Sequence, residues 1–238
     1  MKIVIDLWNQ YAGDLEDLRR MIVSGWANGA DAVKPQLFTS KLRRGDDARK
    51  YLEVTFDEIA SIYKFTKKLG IEIYSTVFDE EKLEWIDELG TDVYKIASET
   101  IGNDPKLCEK ILAKNKITYV SNGLKEIGAP DEFPFGHDSN IRYLFCVAEY
   151  PTYLYNARLR QMPKEFNEKG YYGFSDHALG FVPALEAYRR GAQILEKHYT
   201  HNILAQNVQE GAHLCSLEPE TLRQFKKLCM EYKVFLGR

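Results

Sequence analysis

Hydrophobic positions along the chain follow two alternating periods. Short apolar runs rich in β-branched and aromatic residues recur as IVIDLW (residues 3–8), AVKPQLF (32–38), IEIYSTVF (71–78), DVYKIAS (92–98), ITYVSNG (117–123), IRYLFCVAEYP (141–151), YYGFSDH (171–177) and AQILEKHYT (192–200). Runs of this length and composition predict buried strands. Between most of them, apolar residues return at helical spacing: Leu15, Leu18, Ile22 and Trp26; Ile59, Ile62, Phe65 and Leu69; Leu83, Ile86 and Leu89; then Leu222, Phe225, Leu228, Tyr232 and Leu236. Thr55 followed by Glu58 spells a capping box, and Gly70, Gly90 and Gly191 stand where helices should stop before the next strand. Strand and helix in strict alternation predict parallel strands joined by crossovers. Eight such units in 238 residues match a closed (β/α)8 TIM barrel, which takes roughly 250. We read residues 1–238 as one domain. A doubly wound open sheet is the second candidate, but IDLWNQYAG after the first strand carries one glycine and no Gly-rich phosphate turn. The connection over residues 124–140, with Pro130, Pro134 and Gly136, is too broken for a regular helix.

Composition narrows the classes of function. A net charge of −3 gives no electrostatic reason to expect nucleic acid or an anionic membrane as partner. The four cysteines, Cys108, Cys146, Cys215 and Cys229, form no CxxC pair, so neither a zinc site nor a disulfide scaffold is signalled. MKIVIDLWNQ turns acidic and polar too soon for a signal peptide, and no apolar run is long enough to span a bilayer. A cytoplasmic location is the expectation.

In a barrel of this kind, chemistry gathers at the C-terminal strand ends. The polar residues predicted there are Asp6 with Asn9 and Gln10, Lys34 with Gln36, Ser75 with Thr76, Lys95 with Ser98, Ser121 with Asn122, Glu149 with Tyr150, Ser175 to His177, and Glu196 to His198. AVKPQLF and VYKIAS each set one lysine among residues that otherwise read as buried, and a buried ammonium needs an anion. Lys34 and Lys95, with Thr76, Ser98, Ser121 and Ser175 alongside, predict a nest of donors for phosphate or carboxylate. His177 and His198 close consecutive strands, so two imidazoles should meet at one rim and suit a divalent metal such as Mn, Fe, Co or Zn. Asp176 and Glu196 are the carboxylates expected to orient them or the substrate. His201 and His213 could approach this site, whereas His137 falls in the broken connection.

At these residues the chain resembles the sialic acid (N-acetylneuraminate) synthase family, which condenses phosphoenolpyruvate with an N-acylated amino sugar. The motifs that carry the resemblance follow one order along the chain: AVKPQLF, STVFD, YKIAS with Asn103 and Pro105, SNG, CVAEYPT, GFSDHALG, ILEKHYT and SLEPE. The resemblance implies that His177 and His198 hold the metal, most often Mn²⁺. It further implies that Lys34, Thr76, Lys95, Ser98, Ser121 and Ser175 bind phosphoenolpyruvate, and that Glu196 and Tyr150 lie near the reacting sugar. Asp6 stands where the family has a glutamate and is the expected base, and Gln36 and Asp176 are expected to touch substrate. The implied reaction joins phosphoenolpyruvate to an aldose, giving a nonulosonic or similar 2-keto-3-deoxy sugar acid for surface polysaccharide.

The chain also departs from the family pattern. Phe145 and Ala148 replace polar residues of the sixth strand, and Ala212 replaces an aspartate before His213, with Glu210 a substitute two residues earlier. The family's C-terminal antifreeze-like domain, which lends an arginine to a partner's sugar pocket, has no counterpart before Arg238. A homo-oligomer, or a second chain supplying those contacts, is therefore expected. Two alternatives stand beside the synthase: a barrel aldolase or lyase using Lys34 or Lys95 as a Schiff-base nucleophile, and a degenerate subunit that only binds a ligand or partner.

Overall fold

Alternation along the first strand shows how the chain divides its side chains. In β1 (Lys2–Asp6), Ile3 and Ile5 join a large core that packs against helices, whereas Val4 joins a second core with Ala32, Tyr74, Tyr119, Leu144 and Ile194. One face of every strand thus looks outward to helices and the other inward to its own apolar layer. The structure, a computed structural model, describes residues 1–8, 10–123, 132–203, 214–235 and 237. No helix among the described residues is long and apolar enough to cross a membrane.

The strands after β1 are β2 (Ala32–Lys34), β3 (Gln36–Leu37), β4 (Glu72–Ile73), β5 (Thr76–Val77), β6 (Val93–Ile96), β7 (Ile117–Asn122), β8 (Ile141–Cys146), β9 (Tyr171–Asp176) and β10 (Ile194–His198). All pair in parallel in one sheet of order β3-β5-β6-β7-β8-β9-β10-β1-β2-β4. The ends of that order come from the same two stretches of chain, since β2 runs into β3 and β4 into β5. The sheet therefore curls round on itself. Pro35 separates β2 from β3 because it has no N–H to give the ladder. Hydrogen bonds from Tyr74 N–H to Val33 O at 3.3 Å and from Thr76 N–H to Pro35 O at 3.1 Å carry the pairing across the break.

Eight α-helices lie among the described residues: α1 (Leu15–Ala27), α2 (Ser40–Arg44), α3 (Phe56–Leu69), α4 (Glu80–Glu88), α5 (Ser98–Asn103), α6 (Pro105–Leu112), α7 (Val182–Arg189) and α8 (Pro219–Phe235). The predicted capping box is formed in full at Thr55 and Glu58, and Gly70 ends α3 in the left-handed conformation. Strict alternation fails between β8 and β9, where Pro151 and Pro163 interrupt the chain and one short 3-10 turn, Leu159–Gln161, stands in place of a helix. The first part of the broken connection, residues 124–131 with Pro130, lies outside the described residues, as do Leu236 and Arg238.

The last two strands approach closely. A Cβ on Gly173 would sit 2.3 Å from Ile194 Cγ2 and 2.4 Å from Ile194 O, so only glycine fits two residues before Ser175. Behind this contact Lys197 and Asp176, both fully buried, form an ion pair at 2.9 Å. Lys197 Nζ also donates to Ala178 O at 2.7 Å, and Asp176 Oδ1 accepts from Ala178 N–H at 2.8 Å. Asp176 was expected to face substrate; alternation instead turns it to the outer face, where it fastens β9 to β10. Lys197→Met would leave a buried carboxylate unpaired at a cost of about 3–5 kcal/mol. Denaturant unfolding should show that loss, with partial recovery in the Asp176→Asn/Lys197→Met double variant; a loss below about 1 kcal/mol would contradict this role.

Candidate active site

Above the inner apolar layer, the same inward positions turn polar and line a cavity of about 320 Å³. Of the predicted strand-end residues, Asp6, Lys34, Gln36, Thr76, Lys95, Ser98, Ser121, Tyr150, Ser175, His177, Glu196 and His198 line it, whereas Gln10, Ser75, Asn122, Glu149, Asp176 and Lys197 do not. Register explains the convergence, because Asp6 pairs with Lys34 on one side and His198 on the other, Thr76 pairs with Lys95, and Ser175 with Glu196.

Two lysines form the floor. Lys34 Nζ donates to Asp6 Oδ2 at 2.6 Å and Thr76 Oγ1 at 2.9 Å, and lies 3.8 Å from Glu196 Oε2. Lys95 Nζ donates to Ser121 Oγ and Ile96 O, each at 2.8 Å, and lies 3.9 Å from Glu196 Oε1. Ser175 Oγ donates to Glu196 Oε1 at 3.0 Å, and Ser98 Oγ to Ser121 O at 3.0 Å. Burial works against the Lys34 ammonium, but Asp6 and Glu196 outweigh it and raise its pKa. Lys95 has no such surplus: burial, reinforced by Lys34, lowers its pKa against Glu196. Asp6 also accepts from Gln36 Nε2 and from Trp8 N–H at 2.9 Å. Burial would raise its pKa, yet Lys34 and His198 hold it well below the carboxylate range. A carboxylate so occupied holds the Lys34 ammonium in place.

The histidines meet as predicted, with ring centroids 5.5 Å apart. His177 Nδ1 lies 2.9 Å from Val147 O. A carbonyl only accepts, so Nδ1 carries the proton and Nε2 keeps its lone pair free. Burial, with His198 beside it, pushes His177 down to about 3; burial also lowers His198. Among the described residues, no hydrogen-bond partner meets the buried His198 Nδ1 or Glu196 Oε2. Two neutral imidazoles, one with its tautomer set by a carbonyl, fit a divalent ion. No group of three or more His, Cys, Asp or Glu suited to a metal occurs among the described residues. Tyr150 packs on the pair, 4.1 Å from the His177 ring and 5.8 Å from that of His198.

The other histidines lie elsewhere or beyond description. His201 faces Asp17 at 3.3 Å, and His137 packs on Phe133. Asn9, Glu210, Ala212 and His213 lie outside the described residues. Ala148 lines the cavity and adds no donor, while Phe145 points into the outer core. The sequence reading missed the cavity mouth. Arg43, Arg44 and Glu99 line it together with Trp8 and Phe78. Nothing in SKLRRGDD (residues 40–47) marks Arg43 beyond its charge; its packing against three aromatic rings is what sets it apart.

Fold and site together define an α/β protein with a polar cavity at the C-terminal ends of a curled parallel sheet. Within that class the chain belongs to the NeuB family, which it matches over residues 42–238. It is similar to the N,N'-diacetyllegionaminic acid synthase of Campylobacter jejuni, at 30% identity over 97% of this chain and 75% of that protein. It is also similar to the N-acetylneuraminate-9-phosphate synthase of Mus musculus, at 26% identity over 93% of this chain and 67% of that one. Among solved structures, the N-acetylneuraminic acid (sialic acid) synthetase of Leptospira borgpetersenii, in complex with citrate, superposes with a TM-score of 0.86 at 26% identity. That match covers 99% of this chain and 85% of the other.

The buried histidines make stability depend on pH. Their pKa values are depressed in the folded chain and near 6.5 when unfolded, so below about pH 6.5 the unfolded chain takes up protons that the folded one refuses. Stability should fall with pH from about 6.5 to 5, by at most about 1.4 kcal/mol per pH unit for each histidine. Denaturant unfolding across that range should show the slope, reduced in His177→Gln; a flat profile would contradict the neutral pair.

Proposed function

We propose that the chain is a single-domain (β/α)8 barrel enzyme that condenses phosphoenolpyruvate with an aldose, an N-acylated amino sugar or a relative of one. The product is a nonulosonic or similar 2-keto-3-deoxy sugar acid and inorganic phosphate. Taking β2 with β3 and β4 with β5 as one strand each gives eight strands, each with two neighbours, which supports the closed barrel. The synthase relatives support the reaction class. Four free, buried cysteines accord with a reducing, cytoplasmic location.

The observation that carries this reading is the pairing of Lys34 and Lys95, both 2% exposed, with hydroxyls on neighbouring strands and two neutral imidazoles at the same rim. Lys34 and Thr76, with Lys95, Ser98, Ser121 and Ser175, hold the phosphate and carboxylate of phosphoenolpyruvate. Positioning of this kind is worth roughly 7 kcal/mol or more in favourable cases. His177 and His198 would hold a divalent ion, Mn²⁺ by preference, which when bound supplies Lewis acidity to the acceptor's aldehyde. Glu196, with one oxygen on Ser175 and the other 3.8 Å from Lys34 and without a hydrogen bond among the described residues, is placed to orient the water that adds at C2 or to take its proton. Asp6 keeps Lys34 charged and aimed, and Gln36 ties Asp6 to the mouth.

Phosphate should leave phosphoenolpyruvate only when a suitable aldose and Mn²⁺ are both present, and His177→Ala should slow release by on the order of a thousandfold or more. A broad aldose panel that never triggers release, while phosphoenolpyruvate still binds, would remove the catalytic claim. One observation favours an aldolase instead: the lowered pKa of Lys95 suits a Schiff-base amine, whereas Lys34 is held charged. Borohydride with pyruvate should trap no adduct in the synthase; a Lys95 adduct would decide for the aldolase.

A further inference from the structure

The mouth of the cavity carries charge that the floor does not need. Among the described residues, four cationic side chains, Lys34, Lys95, Arg43 and Arg44, line the cavity against three carboxylates, Asp6, Glu196 and Glu99. By formal charge alone the floor is balanced, two lysines facing Asp6 and Glu196. At the mouth two guanidiniums share Glu99. Arg43 Nε and Nη2 meet Glu99 Oε1 at 2.6 and 2.5 Å, and Arg44 Nη2 lies 3.6 Å from Oε2. The surplus positive charge is therefore here.

Arg43 is an unusual residue to bury. Its side chain is 9% exposed, and its guanidinium stacks 3.4 Å from the Phe78 ring centroid, with Trp8 and Phe38 at 4.7 and 5.3 Å. Among the described residues its one further hydrogen-bond partner beyond Glu99 is Gln36 Oε1 at 3.3 Å, which leaves donors of the five-donor fork to spare. Burial, which Glu99 offsets only in part, pushes its pKa down to about 10. A clip between α2 and α5 would need one arginine, yet Arg44 also faces the cavity. A rigid, stacked guanidinium with donors to spare is the arrangement that receives an oxyanion.

We infer that Arg43 and Arg44 form a second anion subsite at the mouth, and that the acceptor aldose carries an anionic group, phosphate ester or carboxylate, which they receive. This rests on the proposed condensation. Gln36 bridges Arg43 to Asp6, so the subsite is continuous with the floor while the floor keeps its own donors for phosphoenolpyruvate.

The test titrates N-acetylmannosamine, its 6-phosphate and its C6 carboxylate into the protein, with and without phosphoenolpyruvate. At least one anionic sugar should bind tighter than the neutral one by on the order of ten- to a hundredfold, and which one does so separates phosphate ester from carboxylate. That gap should shrink in Arg43→Gln and in the more exposed Arg44→Gln, with partial rescue by Arg43→Lys. A neutral sugar that binds as tightly as both anions, no binding by either anion, or a gap that survives both substitutions overturns the subsite. Phosphoenolpyruvate is titrated alone in parallel: if it fails to bind the unaltered protein the condensation falls, and if it binds while the sugars show no gap only the subsite falls.

Discussion

Two ammonium groups sit at the inner ends of parallel strands where a curled sheet of this composition would otherwise place apolar side chains, and the rest of the site follows from holding them there. Each buried charge must be compensated. Lys34 takes Asp6 in a short ion pair, and Glu196 lies within 4 Å of both lysines. The compensation is unequal. Asp6 and Glu196 outweigh the burial of Lys34, whereas Lys95 is left with a carbonyl, a serine and a shared carboxylate. A fold tolerates such under-compensation where a bound anion completes the balance, which is the usual exchange of stability for function at a site.

The frame that delivers these groups depends on the opposite faces of the same strands. Where Ser175 and Glu196 point inward, Asp176 and Lys197 point outward and lock β9 to β10, and Gly173 lets the strands close up. His177 and His198 stand one position beyond that lock, so the spacing of the imidazoles is inherited from an ion pair that never sees the cavity. Val147 O then fixes one tautomer.

Much of this was legible in the sequence because it follows period. Lysines inside otherwise apolar runs, histidines closing consecutive strands, and Thr55 with Glu58 are local patterns with one physical reading. Asp176 was misread because a motif crowding three polar residues says nothing of which face each occupies until the register is fixed. Pro35 and Pro151 marked real interruptions, but the reading of strict alternation smoothed them over. Arg43, Arg44 and Glu99 were invisible for a different reason. Their meaning lies in a contact between α2 and the start of α5, some 56 residues apart, and no periodicity records it.

Lys95, buried with a serine, a carbonyl and a shared carboxylate, is the group that a bound anion would complete. Calorimetric titration of phosphoenolpyruvate into Lys95→Met, beside its thermal unfolding, addresses this directly. The account predicts affinity lower by on the order of ten- to a hundredfold, with folding stability unchanged or raised because a poorly compensated buried charge is gone. Undiminished affinity for phosphoenolpyruvate, or a large loss of stability with affinity intact, would show that the lysine belongs to the fold and not to the site.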